Sequence, residues 1–174
     1  MAAIKEDTLT KVSTDAATTF VQSFYLALEK SRATLSGFYS PTPTKILFNG
    51  STVANGASVQ DIFVNQMPPT HYEVQSFDCQ VLNQHYPTTT QTDPASTPFG
   101  SRSGGSSRDT AKNMSILVTV SGYVKFGEGR ETWDSPNRGF SETFILVPNS
   151  QDTGPKGQNR RHWLIQSQNF RIVV

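Results

Sequence analysis

The chain is nearly free of cysteine: Cys79 is the single one among 174 residues. One cysteine excludes an intrachain disulfide, and nothing here points to an oxidising compartment. No stretch is apolar for long enough to cross a bilayer, and the N-terminal residues carry a mixed charge pair where a secretory signal needs an apolar run. We therefore predict a protein of the nucleus and cytoplasm that has no membrane contact.

Charge is also scarce, since charged residues make up 17% of the chain and the net charge is +1. So small a net charge excludes a long-range electrostatic field strong enough to attract nucleic acid. Any contact with nucleic acid must therefore come from local basic residues. With 35% hydrophobic residues and eleven Phe, the chain can form one core but is too short for two. We predict a single domain over residues 1–174.

Residue patterns of known catalytic and metal sites are missing. His71, His85 and His162 lie in separate segments, and no Cys or His pair has the spacing of metal ligands. Cys79 has no His near it in sequence, and Asp78 is the only carboxylate within a strand pattern that could point inward, although an edge or partner-facing position is favoured for it. We predict no catalytic residue, no cofactor and no metal.

Helical spacing precedes strand spacing along the chain. Apolar residues recur at steps of three and four over residues 17–28, with a cap among residues 13–15, and again over residues 56–66. A shorter helical piece covers residues 35–39, ended by the prolines that follow. Three helices are therefore expected before the long strands begin.

Asn49-Gly50 suits the positive backbone angles of a tight hairpin turn between residues 45–48 and 51–53. Four longer strands follow, at residues 71–83, 113–126, 138–147 and 162–174. Strands of this length suggest a sheet that bends. The order predicts an α+β fold, in which three helices pack as a cone on a strongly bent antiparallel sheet.

Two polar segments interrupt the strands: a Thr-, Ser-, Pro- and Gly-rich stretch at about 84–112, predicted to be a mobile inserted loop, and a shorter loop at about 149–161. Each carries basic residues, which are Arg102, Arg108, Lys112, Arg160 and Arg161. Such loops could contact RNA phosphates without reading bases, and the alternative is that they are solvated loop charges.

The long strands alternate in an unusual way. Met114, Ile116, Val118, Val120, Val124 and Phe126 form one apolar side, whereas the opposite side is small and neutral. The same uneven neutrality recurs in residues 141–147 and 163–173. Because three short helices cover one side of such a sheet, a second side with so little charge indicates coverage by another chain. An ordinary wetted sheet face is the alternative.

Several segments resemble the nuclear transport factor 2-like family. Residues 20–25, 38–39 and 48–50 resemble the opening of these proteins, and residues 78–80, 122–126, 144–146 and 163–171 resemble the small subunit of the heterodimeric messenger RNA export receptor, of the fungal type with its extended loop. The resemblance implies a cone paired through its sheet face with a related domain of the large subunit. It also implies binding of Phe-Gly nucleoporins and passage of ribonucleoprotein through the nuclear pore.

The resemblance further implies which residues meet the partner. Phe170-Arg171 matches a family motif whose arginine lies at the dimer interface against an acidic group. Combined with the strand alternation, this predicts an interface of Arg171, Asn169, Ser167, Thr143, Ile145, Thr119, Ser121 and Tyr123. The alternatives are a homodimeric import carrier of the same fold, disfavoured because Arg130 interrupts the acidic segment, and an enzyme in the cone cavity.

Overall fold

A long amphipathic helix opens the described part of the chain, which comprises residues 6–87, 112–127, 136–149 and 161–173 of a computed structural model. This helix, α1, spans Glu6–Lys30 and buries Phe20, Phe24 and Leu28, which lie one turn apart on one side. Neither α1 nor any other described helix is long and apolar enough to cross a lipid bilayer.

The predicted helix cap at residues 13–15 is wrong, because α1 already runs through these positions. Ser13 is buried in the helix and donates its hydroxyl to the Thr10 carbonyl at 3.0 Å. Glu6 and Asp7 occupy the first turn instead, where negative charge complements the helix dipole. A Ser hydroxyl can bond within a helix as well as cap one, and the apolar spacing alone does not separate the two cases.

The two shorter helices are confirmed. A 3-10 helix spans Arg32–Phe38, and α2 spans Gly56–Asp61 and continues as a π-helical turn over Ile62–Gln66. Asn55 caps α2 by accepting a hydrogen bond from the Ser58 backbone N–H at 3.0 Å.

Arg32 joins the end of α1 to the π-helical turn. Its guanidinium lies 5.7 Å from the centre of the Phe63 ring. It donates at 2.7–3.0 Å to four carbonyls and a hydroxyl, those of Leu28, Phe63, Met67, Pro68 and Thr70. One side chain thus satisfies several carbonyls left without partners where the two helices end.

Six strands form one sheet in the order β2-β1-β6-β5-β4-β3. Their bounds are Lys45–Phe48, Ser51–Val53, Thr70–Asn83, Ser115–Phe126, Arg138–Pro148 and Trp163–Val173 for β1 to β6. β1 and β2 form the predicted hairpin, whose turn residues Asn49 and Gly50 have φ of 49° and 87°.

The sheet is mixed, so the prediction of an antiparallel sheet is wrong at one junction. β1 runs parallel to β6, with Ile46 beside Gln168 and Phe48 beside Phe170, while the other pairs are antiparallel. The alternation of a short strand indicates which of its sides is buried, but not which distant strand it pairs with or in which direction.

Irregular pairing accompanies the predicted bend of the sheet. The register shifts once between β5 and β6 and twice between β3 and β4, the first time between Val74 and Ser76. Beside that shift, a Cβ on Gly122 would lie 2.1 Å from the Glu73 carbonyl oxygen, closer than any side chain can approach. Gly122 interrupts the apolar side of β4 because the backbone of Glu73 occupies the space that a side chain there would need.

The core lies between α1 and the inner side of the sheet. Phe24 stacks on Phe20 at 5.4 Å and meets Phe38 and Phe144 edge-on at 5.3 and 5.2 Å. The predicted apolar side of β4 is inward: its first five residues are buried, and Phe126, at the strand end, is half-buried. The other side of the sheet faces away from the helices.

Candidate functional site

The sheet side that faces away from α1, here called the outer face, is formed by alternate residues of β3 to β6. Strand register places Thr119 beside Thr143, and Thr143 beside Asn169. In the neighbouring row Ser121 lies beside Ser141, which lies beside Arg171. The antiparallel pairing thus assembles residues distant in sequence into adjacent cross-strand rows.

Two further rows complete the outer face. Leu117, Ile145 and Ser167 are adjacent across β4, β5 and β6, and Tyr123 lies beside Glu73 and is 43% exposed. Every residue predicted for the partner interface therefore lies on this one surface: Arg171, Asn169, Ser167, Thr143, Ile145, Thr119, Ser121 and Tyr123. Their contact with a partner stays a prediction.

Arg171 supplies the one charge in the outer-face rows of β4, β5 and β6. Across its rows in β4, β5 and β6, from Leu117 to Tyr123 and their partners, the other side chains are neutral. His71 pairs with Glu29 at 3.0 Å, whereas Arg171 forms no ion pair with a carboxylate of the described residues. Within these rows of β4, β5 and β6 the outer face is neutral except for Arg171, whereas β3 adds the carboxylates of Asp78 beside Thr119 and Glu73 beside Tyr123.

Asp78 and Cys79 lie on opposite sides of the edge strand β3. Asp78 is beside Thr119 on the outer face, where its carboxylate accepts the Cys79 backbone N–H at 2.8 Å. Cys79 is beside Val118 and packs against the core. The edge position favoured for Asp78 agrees with this geometry.

The cone interior contains a carboxylate that the sequence reasoning missed. Glu142 lies on the inner side of β5 and accepts the Tyr25 hydroxyl and the Gln168 amide N–H, each at 2.6 Å. Gln168 in turn accepts the Tyr39 hydroxyl at 2.6 Å. The interpretation that Asp78 alone could point inward is wrong. The missed signal was a Glu between Phe140 and Phe144, in the apolar parity of its strand.

Burial sets the ionisation of this interior cluster. It raises the pKa of Glu142 from 4.5 to about 7, although the hydrogen bonds from Gln168 and Tyr25 act in the opposite direction. Burial, and then the nearby Glu142 carboxylate, raise the pKa values of Tyr25, Tyr39 and Tyr72. The tyrosines therefore remain hydroxyl donors, and Glu142 is a carboxyl group that is only partly ionised near neutral pH.

Glu142 is enclosed in the core. It is 2% exposed, its hydrogen-bond partner Tyr25 belongs to the core, and so do Phe140 and Phe144 of the same strand. A cavity of about 500 Å³ is lined instead by α1, the 3-10 helix, Lys112 and the start of β6. The hydrogen bonds of Glu142 join α1, β5 and β6.

The predicted basic residues are only partly described. Arg102, Arg108 and Arg160 lie outside the described residues, whereas Lys112 and Arg161 both line the 500 Å³ cavity. The Arg161 guanidinium lies 3.6 Å from the centre of the Phe38 ring. No group of three or more possible metal ligands occurs within the described part of the chain.

Comparison with known proteins identifies similar sequences and structures. The family model of the nuclear transport factor 2 (NTF2) domain matches residues 16–157 of this chain. NTF2-related export protein 1 of Bos taurus is 27% identical over 172 residues, which are 99% of this chain and 96% of that protein.

Solved structures resemble the chain over a similar extent. A chain of the structure described as Sac3N peptide bound to Mex67:Mtr2 gives a TM-score of 0.70 at 27% identity, covering 93% of this chain and 99% of that one. A chain of the Chaetomium thermophilum Mex67 NTF2-like domain complexed with Mtr2 gives 0.70 at 25% identity, with the same coverage. The similarity therefore extends over nearly the whole chain.

Proposed function

Because the chain belongs to the nuclear transport factor 2 (NTF2) family, we propose that it is the small, non-catalytic subunit of a heterodimeric nuclear mRNA export receptor. The observation that carries this proposal is the outer face, with its nearly neutral rows around the unpaired Arg171. Surfaces of low charge that contain an apolar part are typical of interface centres, whereas wetted sheet faces carry more Lys and Glu.

The proposed partner is a related NTF2-like domain in a large subunit. Two structural relatives contain Mex67 together with Mtr2, and in one of them the Mex67 part is its NTF2-like domain. A domain of the same fold offers a second sheet face of similar size, and an acidic group on it would pair with Arg171. A charge buried in such an interface needs an opposite charge beside it. The pair would therefore fix how the two sheet faces align on each other.

The non-catalytic part of the proposal rests on Glu142. A general acid or base must reach the proton that it transfers, and Glu142 is enclosed by hydrogen-bond partners and aromatic rings. An enzyme of the same fold is the less favoured reading, since the 500 Å³ cavity is lined by no residue of the Glu142 cluster.

We extend the proposal to the route of transport. The proposed route includes binding of Phe-Gly nucleoporins and passage through the nuclear pore, as the sequence resemblance implies, and the relative NTF2-related export protein 1 is named for export. RNA or ribonucleoprotein contact through Arg102, Arg108 and Arg160 belongs to the same proposal, whereas Lys112 and Arg161 line the 500 Å³ cavity. Local basic groups on loops suit phosphate contact without base reading.

Affinity purification of the tagged chain from its native cell tests the proposal. We expect a larger protein with an NTF2-like domain to copurify at equal stoichiometry, and a chain differently tagged in the same cell to be absent from the complex. A homodimeric carrier would instead bring down the second tagged copy, and the heterodimer would then be wrong. The solution mass of the purified complex distinguishes the two outcomes independently.

A further inference from the structure

The cavity of about 500 Å³ lies apart from the outer face. Its floor is aromatic, formed by Phe20 of α1, Phe38 of the 3-10 helix and Trp163 at the start of β6. Val12 and Ala16 add apolar surface from α1. A half-open, mostly apolar space of this size with a few polar groups is typical of a binding pocket.

Arg161 stands at the rim of this cavity in an unusual state. Its guanidinium lies on the Phe38 ring at 3.6 Å, and partial burial lowers its pKa. One guanidinium N–H donates to the Gly37 carbonyl in a long hydrogen bond of 3.5 Å. The side-chain amide of Asn149 donates to the Arg161 backbone carbonyl at 2.9 Å. No carboxylate among the described residues forms an ion pair with it.

The rim is therefore positive on balance. Lys112 and His162 also line the cavity, each with a partner of its own, and Asp15 is the one carboxylate of the lining. A partly buried guanidinium without a counterion is costly, and an incoming carboxylate would relieve that cost. Aromatic floor and cationic rim together select a ligand that is apolar at one point and acidic beside it.

We propose that this cavity docks an acidic peptide segment of a partner protein, which inserts one large apolar side chain between Phe20, Phe38 and Trp163 and sets a carboxylate against Arg161. The opening of the cavity at the surface suits a peptide that enters by one side chain. The site shares no residue with the outer face, so one chain can hold a partner on each at the same time.

The test uses the full-length chain and fluorescence anisotropy of a labelled probe peptide, Gly-Ser-Asp-Glu-Phe-Asp-Gly-Ser. Two matched probes replace either the three acidic residues by Asn and Gln or the Phe by Ala. We expect the acidic Phe probe to bind, its affinity to fall as salt increases, and each matched probe to bind about tenfold more weakly or not at all.

Variants locate the site. Arg161→Gln should weaken the acidic probe about tenfold, and Arg161→Lys should retain more of the binding because the charge remains. Thr19→Trp, which fills the cavity from an exposed position on α1, should abolish binding. Arg138→Gln removes the same charge at an exposed site on β5 outside the cavity lining and should leave binding unchanged.

Each contrary result overturns the proposal. Equal binding of the neutral Phe probe would make the cavity an apolar site without acid selection. Binding that survives Thr19→Trp would place the peptide elsewhere, and failure of all three probes would exclude peptide docking here. Circular dichroism of each variant confirms that it is folded before its affinity is compared.

Discussion

The hydroxyl of Tyr25 on α1 donates a hydrogen bond of 2.6 Å to the Glu142 carboxylate on β5, across the core. The contact joins residues 117 positions apart in sequence and is fully buried. Gln168 of β6 donates to the other carboxylate oxygen, so one acidic side chain connects three elements. An apolar interior rich in Phe rings thus contains a polar group whose charge depends on pH.

The pH dependence of stability follows from Glu142. Its pKa is about 7 in the folded chain and 4.5 in the unfolded one, so the folded state binds the proton more tightly. Unfolding releases that proton between these two values, and the free energy of unfolding therefore falls as pH rises from about 5 to 8. The loss is on the order of 3 kcal/mol.

Urea unfolding of the wild type and Glu142→Gln at several pH values measures this effect. Gln resembles the protonated carboxyl, so the variant should lose most of the slope and be the more stable protein at pH 8. Glu73→Gln, which changes an exposed carboxylate of β3, should keep the wild-type slope. Parallel curves for the wild type and Glu142→Gln would show that Glu142 stays ionised throughout.

Local patterns predicted much of this molecule, because they act over a few residues. Alternation assigned Thr119 and Thr143 to the same side before their pairing was known, and Asn49-Gly50 located the hairpin. Both features depend on backbone geometry that neighbouring residues decide.

Long-range features were missed for the opposite reason. The parallel pairing of β1 with β6 depends on where the chain returns after the helices, which no local spacing encodes. Glu142 becomes an interior group only because Tyr25 and Gln168 arrive from distant segments to satisfy it. Arg161 was predicted as a basic loop residue that could contact RNA, and its position on the Phe38 ring depends on the fold.

Gly122→Ala should destabilise the sheet. The added Cβ would lie 2.1 Å from the Glu73 carbonyl oxygen, a backbone atom that cannot rotate away, so β3 must shift. We expect a loss of about 1–3 kcal/mol in the free energy of unfolding, measured by denaturant titration. Gly139→Ala is the matched control in β5, since its Cβ would meet Val173 at an ordinary 3.7 Å. Equal losses in both variants would contradict this reading of Gly122.

Arg32→Met should destabilise the junction of α1 and the π-helical turn. The substitution keeps an apolar stem but leaves the carbonyls of Phe63, Met67 and Pro68 without their donor. We expect a loss of about 2–4 kcal/mol in thermal or denaturant unfolding, and Arg32→Lys should recover little because one ammonium cannot reach all of these acceptors. Arg138→Met, at an exposed position of β5, should leave the free energy of unfolding nearly unchanged. If Arg32→Lys is as stable as the wild type, the positive charge of Arg32 matters and its set of hydrogen bonds does not.

Arg171→Glu should prevent pairing with the large subunit's NTF2-like domain while leaving the chain folded. Arg171 is exposed beside Ser141 on the outer face, so reversal of its charge costs the isolated chain little but sets it against the proposed acidic group. We expect affinity to fall about 100-fold or more, because an enclosed charge pair is replaced by repulsion. Calorimetric titration with the purified domain measures the change, and Arg138→Glu is the matched control on the other side of the same sheet. If Arg171→Glu binds as tightly as the wild type does, the partner covers a different surface and the interface assigned to the outer face is wrong.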